Sequence, residues 1–113
     1  MLKLPESVQI FVAAEHADMR KQATGLSALV NAAFGQTPAS GHLFVFFNRD
    51  RDKIRILFYD RNGYCLVSKS LERGRFRKLD VQGDVASLRI TSAELSLLLS
   101  GTEVVPPRKR PVH

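Results

Sequence analysis

The chain has 113 residues, of which 44% are hydrophobic, and this length and composition predict a single domain with one core. Lysine and arginine together number 17 against 11 acidic residues, and the net charge of +6 favours nucleic acid, an anionic lipid surface or an acidic protein as partner. The single cysteine excludes an internal disulfide and a cysteine-based zinc site, and the lack of a signal-peptide pattern or an apolar run of about 20 residues predicts a soluble, cytoplasmic protein without a membrane span.

The first third of the chain predicts a strand followed by a helix. Residues 8–13 alternate in the manner of a strand. From Asp18 the apolar spacing becomes helical, and two helix starts fit it. Either Asp18 caps one long helix with an internal glycine, or Thr24 caps a shorter helix over residues 25–34. We favour the shorter helix, with Gly35 as its end.

A three-strand antiparallel meander is predicted in the middle of the chain. Residues 43–47 are apolar at every position, which is typical of a central strand or of one covered on both sides. Residues 53–59 and 64–69 follow as two further strands. Asn62 and Gly63 favour a tight turn between them, because these two residue types best tolerate positive φ.

The last elements are two short strands and a helix. Residues 75–79 could form a brief strand, and residues 86–90 alternate as the final one. Thr91 and Glu94 have the spacing of a capping box, which predicts a leucine-rich helix that continues to Ser100.

Together these elements predict an α+β fold. We expect an antiparallel sheet of about five strands built on the meander, with both helices packed on one face. Residues 1–103 would form the single domain. Residues 104–113 combine prolines with a basic triplet and are predicted to be a flexible basic tail.

Positive charge is concentrated in and beside the meander. From residue 49 to residue 78, ten basic residues stand against four acidic ones, a surplus that equals the net charge of the whole chain. Tyr59, Tyr64 and Phe76 could stack on exposed bases. Two alternatives are a solvated face whose acidic and basic residues pair with one another over residues 49–53, and contact with an acidic protein. The predicted nucleic-acid-binding residues are Arg49, Arg51, Lys53, Arg55, Arg73, Arg75, Arg77 and Lys78.

The sequence contains no pattern typical of an active site. Asp18, Asp60 and Glu94 are far apart in sequence, and no supporting motif would join them in a metal-dependent nuclease. The three histidines lack metal-ligand spacing, and neither a phosphate-binding loop nor a nucleophile motif is present. We therefore predict a protein without catalytic activity, cofactor or metal.

Six blocks of sequence, taken in order, resemble a known family. They are similar to the TnpB accessory proteins, which are encoded by the second open reading frame of bacterial insertion sequences of family sixty-six. The resemblance runs from about residue 8 to residue 101. The blocks are DMRK at 18–21, GLSALV at 25–30, SGHLFVF at 40–46, KIRIL at 53–57 with Asp60 and Gly63, KSLERGRF at 69–76, and ELSLLLSG at 94–101.

The resemblance implies a protein that acts beside a separate, larger transposase in transposition of the mobile element. It supplies no catalytic residue. This chain departs from the family in having no tryptophan: members commonly carry tryptophans in place of Phe58 and Tyr59, and a Trp-Pro pair in place of Arg77 and Lys78. Those two cations instead enlarge the basic cluster.

Two hypotheses follow from these observations. In the first, the protein is a non-enzymatic accessory factor whose basic hairpin face contacts transposon DNA, mainly through phosphates. In the second, it is an interaction module that docks on the transposase through residues 43–47 and residues 95–99 without binding DNA. Assembly with a second copy of the chain is compatible with either hypothesis.

Overall fold

The computed structural model describes residues 7–79, 83 and 85–101. The predicted tail, residues 104–113, lies outside the described residues. Neither α-helix among those described is long and apolar enough to cross a membrane. In chain order the elements are β1 (Ile10–Ala13), α1 (Ala23–Phe34), a 3-10 turn (Pro38–Ser40), β2 (Leu43–Phe47), β3 (Lys53–Asp60), β4 (Gly63–Ser70), β5 (Ser87–Ile90) and α2 (Ser92–Leu99).

The strands form one sheet in the order β4-β3-β2-β1-β5. The α+β class, the five strands and the meander β2-β3-β4 are confirmed. The sheet is mixed rather than wholly antiparallel, because β1 and β2 run parallel, with Ile10 opposite Leu43 and Val12 opposite Val45. Parallel neighbours need a crossover, and α1 lies in the connection between these two strands.

The two helices cover opposite faces of the sheet, so the expectation that both pack on one face is wrong. Leu26, Val30 and Phe34 of α1 pack with Phe44 and Phe46. On the other face, the buried leucines of α2 join the alternate residues of the same strands in a second cluster. The physical reason is the central strand β2, whose apolar side chains on both faces each require cover.

Strand β2 is the centre of both clusters. All five of its residues are buried. The Phe34 ring lies 5.0 Å from that of Phe44 and 5.4 Å from that of Phe46, measured between centroids. The predicted central position of residues 43–47 is therefore confirmed, and no part of β2 is open to a partner.

Helix α1 begins earlier than predicted. Gln22 occupies the N-cap position without a side-chain cap bond, and Thr24 lies inside the first turn. Gly25 is helical, and the stem of Lys21 lies over it, since a Cβ at Gly25 would come within 3.2 Å of the Lys21 Cβ. Gly35 ends the helix in the left-handed conformation at φ +61°, as predicted.

Helix α2 begins with the predicted capping box. The Thr91 Oγ1 accepts a hydrogen bond from the Glu94 amide at 3.1 Å, and the Glu94 Oε1 accepts one from the Thr91 amide at 2.9 Å. Gly101 follows the helix at φ +61°.

The β3–β4 turn differs from the prediction in one detail. Asp60 pairs with Gly63, which leaves a two-residue loop. Arg61, at φ +51°, is the residue of this turn with positive φ, rather than the asparagine or the glycine.

Candidate nucleic-acid interface

The turn between β2 and β3 is organised by the side chain of Asn48. Its Oδ1 accepts hydrogen bonds from the amides of Asp52 and Lys53 at 3.1 and 3.0 Å. Its Nδ2 donates to the Asp52 carboxylate at 2.6 Å. These bonds hold the turn in one conformation and make Asp52 a structural acceptor.

The segment of residues 71–79 docks on this turn. The Leu71 amide donates to the Asp52 carbonyl at 2.8 Å, and the Phe76 amide donates to the Arg51 carbonyl at 2.7 Å. In return the Arg51 Nη1 donates to the Phe76 carbonyl at 3.0 Å. Residues that are 19 and 25 positions apart in sequence are therefore joined by these bonds.

Phe76 is a core residue, so its predicted role in base stacking is wrong. The side chain is 0% exposed, and its ring centroid lies 5.8 Å from that of Phe47. Because the segment follows the turn and sends Phe76 inward, the strand predicted over residues 75–79 does not form, and only Arg75 makes an isolated bridge.

Six of the eight predicted residues are brought to this turn. We call them the turn cluster. The side chain of Arg51 is half-buried and committed to the Phe76 carbonyl, and Arg75 is also half-buried. The other four are exposed. The members of the turn cluster are Arg49, Arg51, Arg73, Arg75, Arg77 and Lys78.

The remaining two predicted residues, Lys53 and Arg55, lie on the sheet face that α1 covers. In the β3–β4 register Lys53 is opposite Ser70 and Arg55 is opposite Ser68. The Arg55 Nη1 donates to the Lys21 carbonyl at 2.6 Å. This hydrogen bond holds the chain just before α1 and leaves the other guanidinium donors of Arg55 for further contacts.

The tyrosines lie away from the turn cluster. Tyr59 and Tyr64 form a cross-strand pair with ring centroids 5.1 Å apart at 76°. Tyr59 follows Lys53 by six strand positions, which corresponds to roughly 20 Å along β3. The cations and the rings therefore do not form the interleaved surface that base stacking requires.

Sequence reasoning missed Arg20 as a member of the basic surface. Its guanidinium is paired with Asp18, with Nη2 2.8 Å from Oδ2, and its side chain is 91% exposed. The hydrogen bonds from Arg20 hold the pKa of Asp18 well below its usual range. The carboxylate is thus an ionised partner of Arg20. The signal for this pair is the two-residue spacing of Asp18 and Arg20 in a loop, which is weak by itself.

The histidines and carboxylates that the structure describes do not converge on one site. The His42 Nδ1 accepts a hydrogen bond from the Gln9 amide at 3.0 Å, and its ring packs edge-on against Phe11. Among the described residues, no group of three or more histidine, cysteine, aspartate or glutamate side chains is placed to hold a metal ion.

Comparison with known proteins gives four findings. The family model described as IS66 Orf2 like protein matches residues 8–109. The Sinorhizobium fredii protein y4hO is 34% identical over 109 residues, which cover 96% of this chain and 93% of y4hO. The y4jC protein of the same organism is 32% identical over 112 residues, which cover 99% of this chain and 94% of y4jC. No solved structure matches the chain.

Proposed function

The chain belongs to the IS66 Orf2-like protein family and is a transposition-associated accessory protein, and we propose that it acts without catalysis by contacting the DNA of its insertion sequence through the turn cluster. Family membership confirms the resemblance carried by the six sequence blocks.

The observation that best supports this proposal is the docking of residues 71–79 on the β2–β3 turn. Three hydrogen bonds between Arg51, Asp52 and the docked segment gather cations from two separate stretches of the chain. Phosphate contact requires exposed cations on a firm base, and the turn offers both, since Arg49 and Arg73 are exposed. Since the tyrosines lie elsewhere, the proposed contact is to the DNA backbone, with little reading of base sequence.

The test is a fluorescence anisotropy titration of the protein against the terminal duplex of the element and an unrelated duplex, each at low and physiological salt. We expect similar affinities for the two duplexes and weaker binding at the higher salt concentration. The double variant Arg49→Ala, Arg73→Ala removes two exposed cations of the turn cluster. It should reduce the slope of log affinity against log salt by about 2, because each phosphate contact contributes about 0.9.

A matched control removes the same charge elsewhere. Arg61 and Arg89 are exposed residues at the β3–β4 turn and on β5. The double variant Arg61→Ala, Arg89→Ala should retain the salt slope of the wild type. Equal losses in the two double variants would mean that only net charge matters, and no binding at low salt would overturn DNA contact altogether.

Docking on the transposase is the second candidate function, supported by a different surface from the one predicted. β2 is wholly buried, and Leu95 and Leu98 face the core, so of the two predicted surfaces only α2 exposes a large apolar side chain, that of Leu97. Strand β4, in contrast, ends the sheet with eight residues, and Val67 on it is 51% exposed. A free edge of this length can accept a strand from another protein.

Co-elution with purified transposase on size-exclusion chromatography tests this second function. Val67→Lys places a charge beside the free edge, whereas Leu97→Lys changes an equally exposed residue on α2, 55% exposed, as the matched control. Loss of co-elution in the first variant alone would support edge docking. Co-elution that survives both changes would rule out the β4 edge.

A further inference from the structure

A small groove lies between the beginning of the β3–β4 hairpin and the loop that leads into α1. Its cavity volume is 310 Å³. One side is the sheet, where two cations of β3 lie opposite two serines of β4. The other side is the loop with the Asp18–Arg20 pair. We call this feature the serine groove, which is lined by Asp18, Met19, Arg20, Lys53, Ile54, Arg55, Ser68, Lys69 and Ser70.

The serine groove has a positive balance, with four cationic residues and one carboxylate in its lining, and the ammonium of one of them, Lys69, donates to the Leu99 carbonyl at 2.6 Å. The carboxylate of Asp18 already accepts hydrogen bonds from the Arg20 amide, Nε and Nη2 at 2.8–3.1 Å. The Arg20 Nη1 has no partner among the described residues and remains available. An anion entering the groove therefore meets an Asp18 carboxylate whose charge is paired with Arg20, together with a surplus of positive charge.

The two sides of the groove are tied together. The Arg55 Nη1 donates to the Lys21 carbonyl at 2.6 Å, which holds the end of the loop against the sheet. Since the helical Gly25 has no side chain, the stem of Lys21 can lie over the first turn of α1. The groove is thus preformed rather than assembled on binding.

The hydroxyl donors and the Lys53 ammonium on the sheet side are unused. In the part of the chain that the structure describes, the hydroxyls of Ser68 and Ser70 and the ammonium of Lys53 have no hydrogen-bond partner, and all three side chains are exposed. Cross-strand neighbours on one face lie about 5 Å apart, so the ammonium and the opposite hydroxyl can reach oxygens of the same anion.

We propose that the serine groove binds one phosphodiester group of the DNA backbone, with Lys53 and Arg20 supplying charge and the two serine hydroxyls donating to its non-bridging oxygens. The inference rests on the proposed function and deepens it by naming a phosphate site apart from the turn cluster. Lys53 begins β3 directly after the β2–β3 turn, so one DNA strand can cross the turn cluster and the groove together. Charge-assisted bonds to phosphate oxygens fit donors on both sides of a narrow groove.

The test separates a built phosphate site from diffuse charge, because it changes no charge. The double variant Ser68→Val, Ser70→Val removes both hydroxyls. The double variant Ser68→Thr, Ser70→Thr has nearly the same shape and keeps them, and both substitutions favour strand structure. In the anisotropy titration we expect the threonine variant to bind as the wild type does and the valine variant to bind about tenfold more weakly.

A second measurement tests phosphate binding by the serine groove in the absence of DNA. Inorganic phosphate is titrated into ¹⁵N-labelled wild-type protein, and shifts of the Ser68 and Ser70 amide signals are followed by NMR. We expect phosphate to shift the amide signals of positions 68 and 70 in the wild type and in the threonine variant but not in the valine variant.

The outcomes distinguish the two proposals. Equal DNA binding by the valine and threonine variants would overturn the groove and leave DNA contact by the turn cluster intact. Absence of DNA binding by the wild type, with the expected phosphate shifts, would overturn the proposed function and retain the groove. Absence of both responses would overturn both.

Discussion

Replacing Phe76 by alanine should remove a large part of the stability of the fold. Its side chain is fully buried and packs against Phe47, so the change leaves a cavity that the sheet and α2 cannot easily close. Core Phe→Ala changes cost about 3–5 kcal/mol, of which an aromatic pair accounts for about 0.5–1.5 kcal/mol. A domain of this length has a free energy of unfolding of roughly 6–17 kcal/mol, so the variant should fold but with a much smaller margin.

Urea unfolding followed by circular dichroism measures this loss. We expect Phe76→Ala to lower the free energy of unfolding by about 4 kcal/mol and the melting temperature by about 10–20 °C. Tyr64→Ala is the control, because Tyr64 is 39% exposed and should cost less than about 1.5 kcal/mol. A loss below about 1 kcal/mol at Phe76, or equal losses in the two variants, would refute the placement of Phe76 as the residue that fixes the docked segment.

Three further changes test local features. Gly101→Ala should lower the free energy of unfolding, measured with urea, by about 1–2 kcal/mol. The reasons are that φ at this position is +61° and that the new Cβ would lie 2.8 Å from the Leu71 Cδ2. An unchanged unfolding midpoint would contradict this expectation. Arg61→Gly should raise the free energy of unfolding by up to about 1 kcal/mol in the same assay, because glycine tolerates φ +51°. A lower free energy of unfolding in this variant would argue against the positive φ of Arg61 in the β3–β4 turn. The bonds from Arg20 depress the pKa of Asp18 in the folded state, so their stabilisation is present above the ordinary pKa of about 3.9 and is lost as pH falls through the lower folded value. The difference in melting temperature between wild type and Asp18→Asn should therefore shrink from pH about 7 to pH about 2, and a constant difference would count against the pair.

Local signals explain what the sequence could predict. The capping box joins Thr91 and Glu94, three residues apart, and the hairpins follow from turns between adjacent apolar runs. The parallel pairing of Ile10 with Leu43 joins residues 33 positions apart, and no local sequence pattern indicates it. The strands that form the sheet were therefore predictable from local pattern, apart from the strand wrongly predicted over residues 75–79, whereas strand partners across the crossover were not.

The side of the sheet that each helix covers was unpredictable for a related reason. An amphipathic helix shows that one of its faces is buried, but it does not show against which side of a sheet. The five buried residues of β2 required cover on both sides, and this was the one clue that the helices would separate.

The candidate site was predictable in composition but not in arrangement. Phe76 stands between Arg75 and Arg77, so the pattern around it resembles an exposed basic strand, although its side chain is fully buried. The serines of the groove, in contrast, could have been found by counting back from the turn. Once Asp60 pairs with Gly63, the register places Lys53 opposite Ser70 without any further information.

The fold separates the residues that hold it together from those available to a partner. Because α1 and α2 cover opposite faces, both faces of β2 are buried, and the described surface offers loops, edges and the groove instead. The exposed cations Arg49 and Arg73 belong to two segments that are held together by Phe76 and by backbone hydrogen bonds, and these contacts do not involve the ends of the two side chains. Removing those ends should therefore change contact while leaving the core unaltered. For that reason the charge and hydroxyl variants above can report on binding rather than on folding.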